Sequence, residues 1–395
     1  MARIIAKAAL WPVLAFAISS SLPAQTLTLS QALDAAVQHH PAARGAALQV
    51  QQQTQLLPVT AALANPVVMA ESPTGDFYTF GVTQSFEMPR VYRHRKDLQK
   101  SQIARAESGI AAIRQDIRHV TALVYNEWQY RTALTQQLRE QDSLLQSVAA
   151  AAARQFEQGQ IDAVANQLAA LQAAMLRARL HQSEQDVLIS ERQLQSLTGV
   201  SGRIVPEPWA KPIAVPLADT AWLQNTPSLQ TLRQEIHVTE QQVAVEKSKG
   251  CPQITLGYLN QGGRNSPVAN RFNAGVSIPL WRKQYQAQVA AAQTGVEIAR
   301  QNLATESLQI SMARSRALGE AEKARLALDD YEKTVLPGAR LLADASRRLY
   351  EGGLTDLPAY LRNRKDALDV QLTYLDLLRT WQEAQLNLRF IAGTL

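Results

Sequence analysis

Long stretches of the chain carry apolar residues at spacings of three and four, separated by alanine, glutamine and charged residues. Between Pro89 and Pro206 there is no proline, and the good helix formers Ala, Gln, Leu, Arg and Glu dominate. This pattern is typical of helices that pack side by side. It predicts helices at residues 29–62, 90–156, 162–198, 220–248, 282–350 and 356–392. The second of these would be roughly 100 Å long at about 1.5 Å per residue, far longer than a compact domain requires.

Strict alternation of apolar and polar residues marks a second kind of element. In residues 77–88, Phe80 and Val82 fall on one face, and Thr79 and Thr83 fall on the other. The same alternation predicts strands at 66–71, 252–260 and 270–280. Such strands are typical of transmembrane β-barrels, and also of an antiparallel sheet half-buried on a core. The barrel is the better interpretation, because the flanking helical rods leave no core for a sheet to cover.

The chain contains one pattern twice, in the order helix, two strands, very long helix, tight turn, helix. A shift of 194 residues aligns Gly81 with Gly275 and holds without a gap as far as Gly199 and Gly393, and a shift of 186 residues aligns Pro41 with Pro227 before it. We therefore divide the mature chain into two structural repeats, residues 25–205 and 206–395.

Four strands cannot close a barrel, because known barrels start at eight strands. Three copies would supply twelve strands, and their helices would continue the wall. The predicted fold class is therefore mainly α with a small transmembrane β part, in which copies of the chain share one β-barrel and long helices continue its wall. The strand loops at 73–76 and 261–271 are rich in turn formers and would lie outside the cell.

Residues 1–24 have the pattern of an export signal peptide. Arg3 and Lys7 precede an apolar stretch at 8–18, and small residues lead to Ala24. The mature chain would then begin near Gln25. Beyond the signal no run of about 18 apolar residues occurs, so no membrane-spanning helix is predicted in the mature chain.

Composition and motifs exclude several other classes of protein. The net charge of +6 is mild, and basic residues scattered among acids are typical of solvated helix surface rather than a nucleic-acid interface. The single Cys251 cannot form an internal disulfide, and the six histidines lack the spacing of a zinc site. We find no phosphate loop, no nucleophile elbow and no acidic cluster beside a histidine. We therefore expect no enzyme, no cofactor, no metal site and no nucleic-acid partner.

Several short segments together resemble the TolC family of outer-membrane efflux proteins. They are Leu27-Thr-Leu-Ser-Gln-Ala-Leu33 with His40-Pro41, Gly81-Val-Thr-Gln-Ser-Phe-Glu-Met-Pro89, Phe156-Glu-Gln-Gly159 and Tyr350-Glu-Gly-Gly353. Their order, spacing and repetition cover nearly the whole mature chain. The resemblance implies a trimeric outer-membrane β-barrel, with four strands from each chain, continued by a long periplasmic α-helical coiled-coil tunnel. It also implies that this homotrimer in outer-membrane lipid is the passive duct of a tripartite efflux system, with a periplasmic adaptor (membrane-fusion) protein and an inner-membrane pump.

The segment that ends at Pro89 and the short C-terminus ending at Leu395 are similar to the heavy-metal (cobalt-zinc-cadmium) branch of this family. That similarity implies heavy-metal cations as the exported substrate, and an RND-type pump. A type I secretion or multidrug channel is the alternative, and a periplasmic coiled-coil scaffold is a more distant one.

The two tight turns are the candidate functional site. The resemblance implies that they form the periplasmic tips, narrow the tunnel and contact the adaptor. The residues concerned are Arg154, Phe156, Gly159 and Asp162 in the first turn, and Arg348, Tyr350, Gly353 and Asp356 in the second. The glycines would permit a positive φ and the aspartates would cap the next helices. The two aromatic residues could equally serve only to pack the last helical layer.

Some family members carry a ring of acidic residues in the pore, six and nine positions after the second turn glycine. Here those positions are Ala359 and Arg362. We therefore expect Arg362 to line the pore near the tip, with Arg364 and Lys365 adding positive charge instead of an acidic ring.

Overall fold

A computed structural model describes residues 25–72, 79–209, 226–260 and 271–395. The predicted signal peptide, the loop at 73–76 and the loop at 261–271 except Arg271 lie outside the described residues. The helices are α1 Leu29–His39, α2 Pro41–Gln55, α3 Pro89–Glu157, α4 Ala163–Thr198, α5 Pro227–Ser248, α6 Arg282–Asp330, α7 Leu336–Glu351 and α8 Leu357–Ile391. None of the described helices is long and apolar enough to cross a membrane.

The strands form two sheets. They are β1 Gln25–Leu27, β2 Val67–Glu71, β3 Thr79–Phe86, β4 Ile204–Pro206, β5 Gln253–Leu259 and β6 Phe272–Ser277. An antiparallel sheet has the order β2-β3-β5-β6, and β1 pairs with β4 in parallel. The sequence pattern predicted the four strands of the larger sheet but missed β1 and β4, because three-residue strands are too short to show alternation.

The long helix α3 is confirmed as an unbroken helix of 69 residues. It begins with Pro89 at its first position, where the missing N–H is not needed. Its alanine-rich and leucine-rich faces pack against α4 and α8, where Leu138, Leu176 and Leu368 belong to one buried cluster. The mostly helical architecture with a small sheet therefore agrees with the predicted fold class.

A second buried cluster lies halfway along α3, where residues of β1 and β4 pack against the helices. Tyr125 and Trp128 pack there with Leu194, and the Tyr125 hydroxyl donates a hydrogen bond to the carbonyl oxygen of Leu27 at 2.8 Å. Burial raises the pKa of Tyr125 to about 12. This cluster anchors the N-terminal segment to the long helix.

Two helix predictions need correction near prolines. The predicted helix at 29–62 is α1, α2 and a 3₁₀ turn at Leu57–Ala61. The break falls at His40, which has φ −65° and ψ 127° because a residue before proline avoids the helical region. The helix predicted from residue 220 is described only from Pro227, which occupies its first position.

The predicted helix at 282–350 is observed, with one π-helical turn inside it. A π-helical turn at Tyr331–Val335 separates α6 from α7, and the N–H of Leu336 donates to the carbonyl of Tyr331, five residues earlier. The cause is Pro337, which lacks an N–H and whose ring collides with the carbonyl four residues before it. The rod that leads to the second turn is thus continuous but locally widened.

Candidate functional site: the helix turns and the exposed sheet

The first turn joins α3 to α4. Gly159 has φ +69°, its N–H donates to the carbonyl of Phe156 at 2.9 Å, and the N–H of Gln160 donates to the carbonyl of Gln155 at 2.8 Å. These two bonds define a Schellman motif. Gly159 therefore ends α3 in a conformation that L side chains rarely adopt.

The second turn joins α7 to α8 and repeats this geometry. Gly353 has φ +70° and donates to the carbonyl of Tyr350 at 3.0 Å, while Leu354 donates to the carbonyl of Leu349 at 2.8 Å. Both glycines have the positive φ that the sequence predicted.

An aspartate caps the helix that follows each turn. Asp162 Oδ1 accepts a hydrogen bond from the N–H of Ala165 at 2.7 Å, and Asp356 Oδ1 accepts one from the N–H of Ala359 at 2.8 Å. Each bond satisfies a backbone donor that the helix itself leaves unpaired. The predicted capping role of both residues is confirmed.

The two aromatic residues of the turns differ in their contacts. The ring of Tyr350 stacks on that of Tyr360, with centroids 4.8 Å apart and an angle of 11° between the planes. Its hydroxyl lies 3.3 Å from Gln155 Oε1 on α3. Phe156, in contrast, is 43% exposed. These contacts fit the packing interpretation for Tyr350, whereas Phe156 has no comparable cover within the described part of its own chain.

A buried cluster joins the two turns. Ala152 and Ala165 of the first hairpin pack with Leu357, Tyr360 and Leu361 of α8. Burial raises the pKa of the Tyr360 phenol, and the positive charge of Arg364 opposes this rise. The sequence did not single out Tyr360, because the first copy has Asn166 at the equivalent position and offers no repeated aromatic.

The arginines assigned to the tips lie at the surface. Arg154 and Arg348 are exposed, and their carbonyls accept the N–H groups of Gln158 and Gly352. Arg362 is exposed on the second turn of α8. Arg364 instead reaches α3, where it donates to Gln141 Oε1 at 2.7 Å.

At the other end of the molecule, the larger sheet has one apolar and one polar face. The register places Val68, Val82, Tyr258 and Phe272 in one ladder across all four strands. Val68 is 72% exposed and Phe272 is 66% exposed. The neighbouring ladders of this face add Phe80, Ile254, Leu256 and Val276, which are also exposed. The opposite face carries Thr83, Ser85, Thr255, Asn273 and Ser277.

One family model matches the C-terminal part of the chain. Residues 220–394 match the family model described as outer membrane efflux protein. The C-terminal part of the chain is therefore similar to this family. None of the curated proteins compared with the chain matches its sequence.

Solved channels resemble this efflux protein over nearly its whole length. CusC matches with a TM-score of 0.77 and 16% identity, covering 92% of this chain and 92% of CusC. CmeC of Campylobacter jejuni, an outer membrane channel, has a TM-score of 0.78 and 15% identity, with coverage of 93% and 85%. MtrE of Neisseria gonorrhoeae, also an outer membrane channel, has a TM-score of 0.72 and 13% identity, with coverage of 92% and 88%. The fold of these channels therefore extends over 92–93% of this chain.

The family match and the solved channels together indicate the location and the class of this efflux protein. It is an outer-membrane protein with a large periplasmic part, and it is a subunit of an efflux channel. The family is one of channels rather than of enzymes. Among the described residues, no group of three or more His, Cys, Asp or Glu side chains is placed to hold a metal ion.

Proposed function

We propose that three copies of this efflux protein form the passive outer-membrane duct of a tripartite system. The observation that carries the proposal is the exposed apolar face of the larger sheet. In water, apolar surface is unfavourable by about 25 cal/mol per Å², whereas outward apolar bands are what lipid-facing strands display. The polar face would then line the aqueous passage.

The strands at the edges of the sheet support assembly from several copies. β2 and β6 each have one neighbour, so each has a row of backbone groups that its own sheet does not pair. An unpaired backbone group in lipid costs several kcal/mol. Four strands from each of three copies would give a closed barrel of twelve, with no free edge.

The helices carry matching apolar surfaces for the same assembly. Leu171 on α4 is 52% exposed and Leu341 on α7 is 71% exposed, and each lies twelve residues from the glycine of its own turn. Val164 and Leu349, which lie nearer the turns, form a second exposed pair. Two different complementary surfaces on one chain favour head-to-tail contacts, which close into a ring.

The two turns are the proposed periplasmic tips and the contact with the adaptor. The residues in this role are Arg154, Phe156, Gly159, Asp162, Arg348, Tyr350, Gly353 and Asp356, with Arg362 lining the pore nearby. The exposure of Phe156 supports the role, because a turn that faced only solvent would gain nothing from an aromatic side chain. The division into repeats at residues 25–205 and 206–395 stays a prediction.

For the substrate, we propose heavy-metal cations and an RND-type pump. The support is the likeness of the segment Gln84–Pro89 to the heavy-metal branch. Deletion of the gene should make cells sensitive to cobalt, zinc and cadmium and leave their sensitivity to hydrophobic drugs unchanged. Sensitivity to drugs alone would favour the multidrug alternative.

Assembly is tested by cross-linking across the proposed contact. In a Cys251→Ser background, the pair Leu171→Cys and Leu341→Cys should give disulfide-linked dimers and trimers, and each single variant should give neither. A monomer that is stable in detergent and retains its full strand content by circular dichroism would contradict the proposal.

A further inference from the structure

The excess positive charge of the chain is concentrated where the helices meet the larger sheet. Basic residues occur along all the long helices, but acids balance them unevenly. Three short segments, 87–97, 246–249 and 281–285, contain eight Lys and Arg and three Asp and Glu residues, a formal net charge of 8 − 3 = +5. The whole chain has a formal net charge of +6. These three segments therefore carry nearly all of the excess.

The register of the sheet brings the three segments together. The first follows β3, the second precedes β5 and the third follows β6. Phe86 at the end of β3 pairs with Ile254, and Gln253 at the start of β5 pairs with Ser277 at the end of β6. Since paired strands lie about 5 Å apart, the chain leaves all three strands at the same end of the sheet. We call the three segments the basic collar.

The acids of the collar neutralise only part of its charge. Glu87 Oε1 accepts a hydrogen bond from Arg95 Nη2 at 2.7 Å, and Glu246 pairs with Lys249 at 2.7 Å. The other basic residues of the collar are not buried, and within the described part of the chain they make no ion pair. They are Arg90, Arg93, Lys96, Lys247, Arg282 and Lys283. The collar therefore presents positive charge to whatever lies beside it.

Exposed apolar side chains connect the collar to the apolar face of the sheet. Ile278, Leu280 and Trp281 follow β6 and are 61%, 72% and 78% exposed. Arg282 and Lys283 come directly after them. The order is thus apolar strand, exposed indole and then positive charge. A bilayer boundary has this order, because acyl chains give way to the headgroup level, where tryptophan is enriched, and then to phosphate.

The spacing of the basic residues suits a phosphate group. Arg93 and Lys96 are three residues apart on α3 and are therefore neighbours on one helix face. Two like charges so placed repel each other, and an anion between them removes the repulsion. A guanidinium binds phosphate through two parallel hydrogen bonds, and an ammonium binds it as a point charge. A zwitterionic headgroup adds a positive group that the collar repels, so a headgroup with net negative charge fits best.

We infer that the basic collar binds the phosphate groups of anionic phospholipids, such as phosphatidylglycerol, on the periplasmic side of the outer membrane. The inference rests on the proposed function, since that function turns the apolar face of the sheet toward lipid. It adds the class of lipid and the level along the chain at which the membrane ends.

The test uses the purified chain in phosphatidylcholine vesicles. Part of the lipid is replaced by phosphatidylcholine or phosphatidylglycerol that is brominated close to the headgroup end of the acyl chains. Bromine quenches tryptophan fluorescence on contact, and the quenching that Trp281→Phe removes belongs to Trp281. At low salt, phosphatidylglycerol should be preferred beside Trp281 by about fivefold, as expected for one basic residue at an anionic headgroup. About 1 M salt should remove most of this preference through screening.

Variants then assign the preference to the collar. Arg93→Gln with Lys96→Gln, and Arg282→Gln with Lys283→Gln, should each reduce it, and the fourfold variant should abolish it. Arg192→Gln with Lys323→Gln makes the same charge change as either pair, at exposed positions on α4 and α6 outside the collar. This control should keep the preference. An unchanged preference in the fourfold variant, with trimers and helix content preserved, would overturn the inference.

Three further outcomes separate this inference from the proposed function. Equal quenching of Trp281 by the two brominated lipids, at any salt concentration, would overturn the inference and leave the sheet in the membrane. No quenching by either lipid would place Trp281 outside the membrane and would contradict the proposed function as well. A collar variant that keeps the lipid preference but changes the ratio of anion to cation conductance would place these basic residues in the aqueous passage, and would overturn the inference.

Discussion

The two helix turns share one hydrogen-bonding pattern but end stems of different construction. The stem before the first turn is α3, an unbroken helix of 69 residues. The stem before the second turn contains the π-helical turn at Tyr331–Val335, with Pro337 just after it. The local bonds set by a glycine and an aspartate are therefore the same in both turns, while the helical regularity of the two stems is not.

The packing of the turns differs as well. Tyr350 is held between Tyr360 and Gln155, whereas Phe156 projects toward solvent. The second turn is thus fastened to the first hairpin by its aromatic residue, and the first turn presents its aromatic residue outward. The aromatic residues at equivalent positions of the two turns therefore make different contacts, because different residues surround them.

The largest effect is expected when a proline is introduced into the first stem at the position equivalent to Pro337 of the second stem. Ser143 is exposed in α3 at the position equivalent to Pro337. Ser143→Pro should destabilise α3 locally by about 3 kcal/mol, because it removes a helical hydrogen bond and introduces a clash. Hydrogen exchange of residues 135–150 should accelerate strongly.

The reciprocal variant serves as its control. Pro337→Ala should let the helix continue and slow exchange around residues 331–337, with a gain of at most about 1 kcal/mol, since the π-helical turn already relieves the clash. If Ser143→Pro leaves exchange in α3 unchanged, helical regularity is not what distinguishes the stems.

Truncation of the two aromatic residues should give unequal results. Tyr350→Ala removes a stacked, half-buried ring and should lower the local free energy of unfolding near the second turn by about 2–3 kcal/mol. Phe156→Ala removes an exposed ring and should change it by about 0.5 kcal/mol or less. Hydrogen exchange of residues 345–360 and 150–165 measures both, and equal effects would contradict the difference in packing.

Substitution of the turn glycines should act on both turns alike. A left-handed conformation costs a residue with a side chain about 1–2 kcal/mol, and a Cβ at Gly159 or Gly353 meets no atom within 4 Å. Gly159→Val and Gly353→Val should therefore each lower the local free energy of unfolding through the backbone conformation and not through a steric clash. The double variant should keep trimers in the membrane and lose resistance and cross-linking to the adaptor.

Gly109→Ala is the matched control for these glycines. Gly109 lies inside α3, and a Cβ there also meets nothing within 4 Å. This variant should gain about 0.5–1 kcal/mol, because alanine favours the helix. If the double valine variant exports like the wild type, the turns are not part of the functional site.

The sequence predicted the features that depend on interactions between residues close together in the chain, namely the helices, the turns and their caps. Helical periodicity located α3 and α4 to within a few residues, and the Gly159 and Asp162 pattern predicted both the turn and its cap. It missed the break at His40 and the π-helical turn just before Pro337, because a long amphipathic pattern continues through both.

Residues that act through tertiary contacts could not be predicted. Tyr360 and Gln155 carry no motif, and their role arises only when the two hairpins lie side by side. The same is true of Arg364, whose hydrogen bond to Gln141 depends on the placement of α3 beside α8. The periodicity of a single sequence predicts where a helix or strand lies, but not which other element packs against it.

The smallest expected effect tests whether the two turns are coupled through one hydrogen bond. The Tyr350 hydroxyl and Gln155 Oε1 are 3.3 Å apart in a partly buried setting, and a bond of this kind contributes about 0.5–1 kcal/mol. Tyr350→Phe and Gln155→Ala should each lower the local stability of the turns by about that amount. The double variant should lose less than the sum, because both changes remove the same bond. A double-mutant cycle by hydrogen exchange measures the difference, with Phe156→Leu as a control that touches neither atom. Strictly additive losses would mean that the stacked rings alone join the turns.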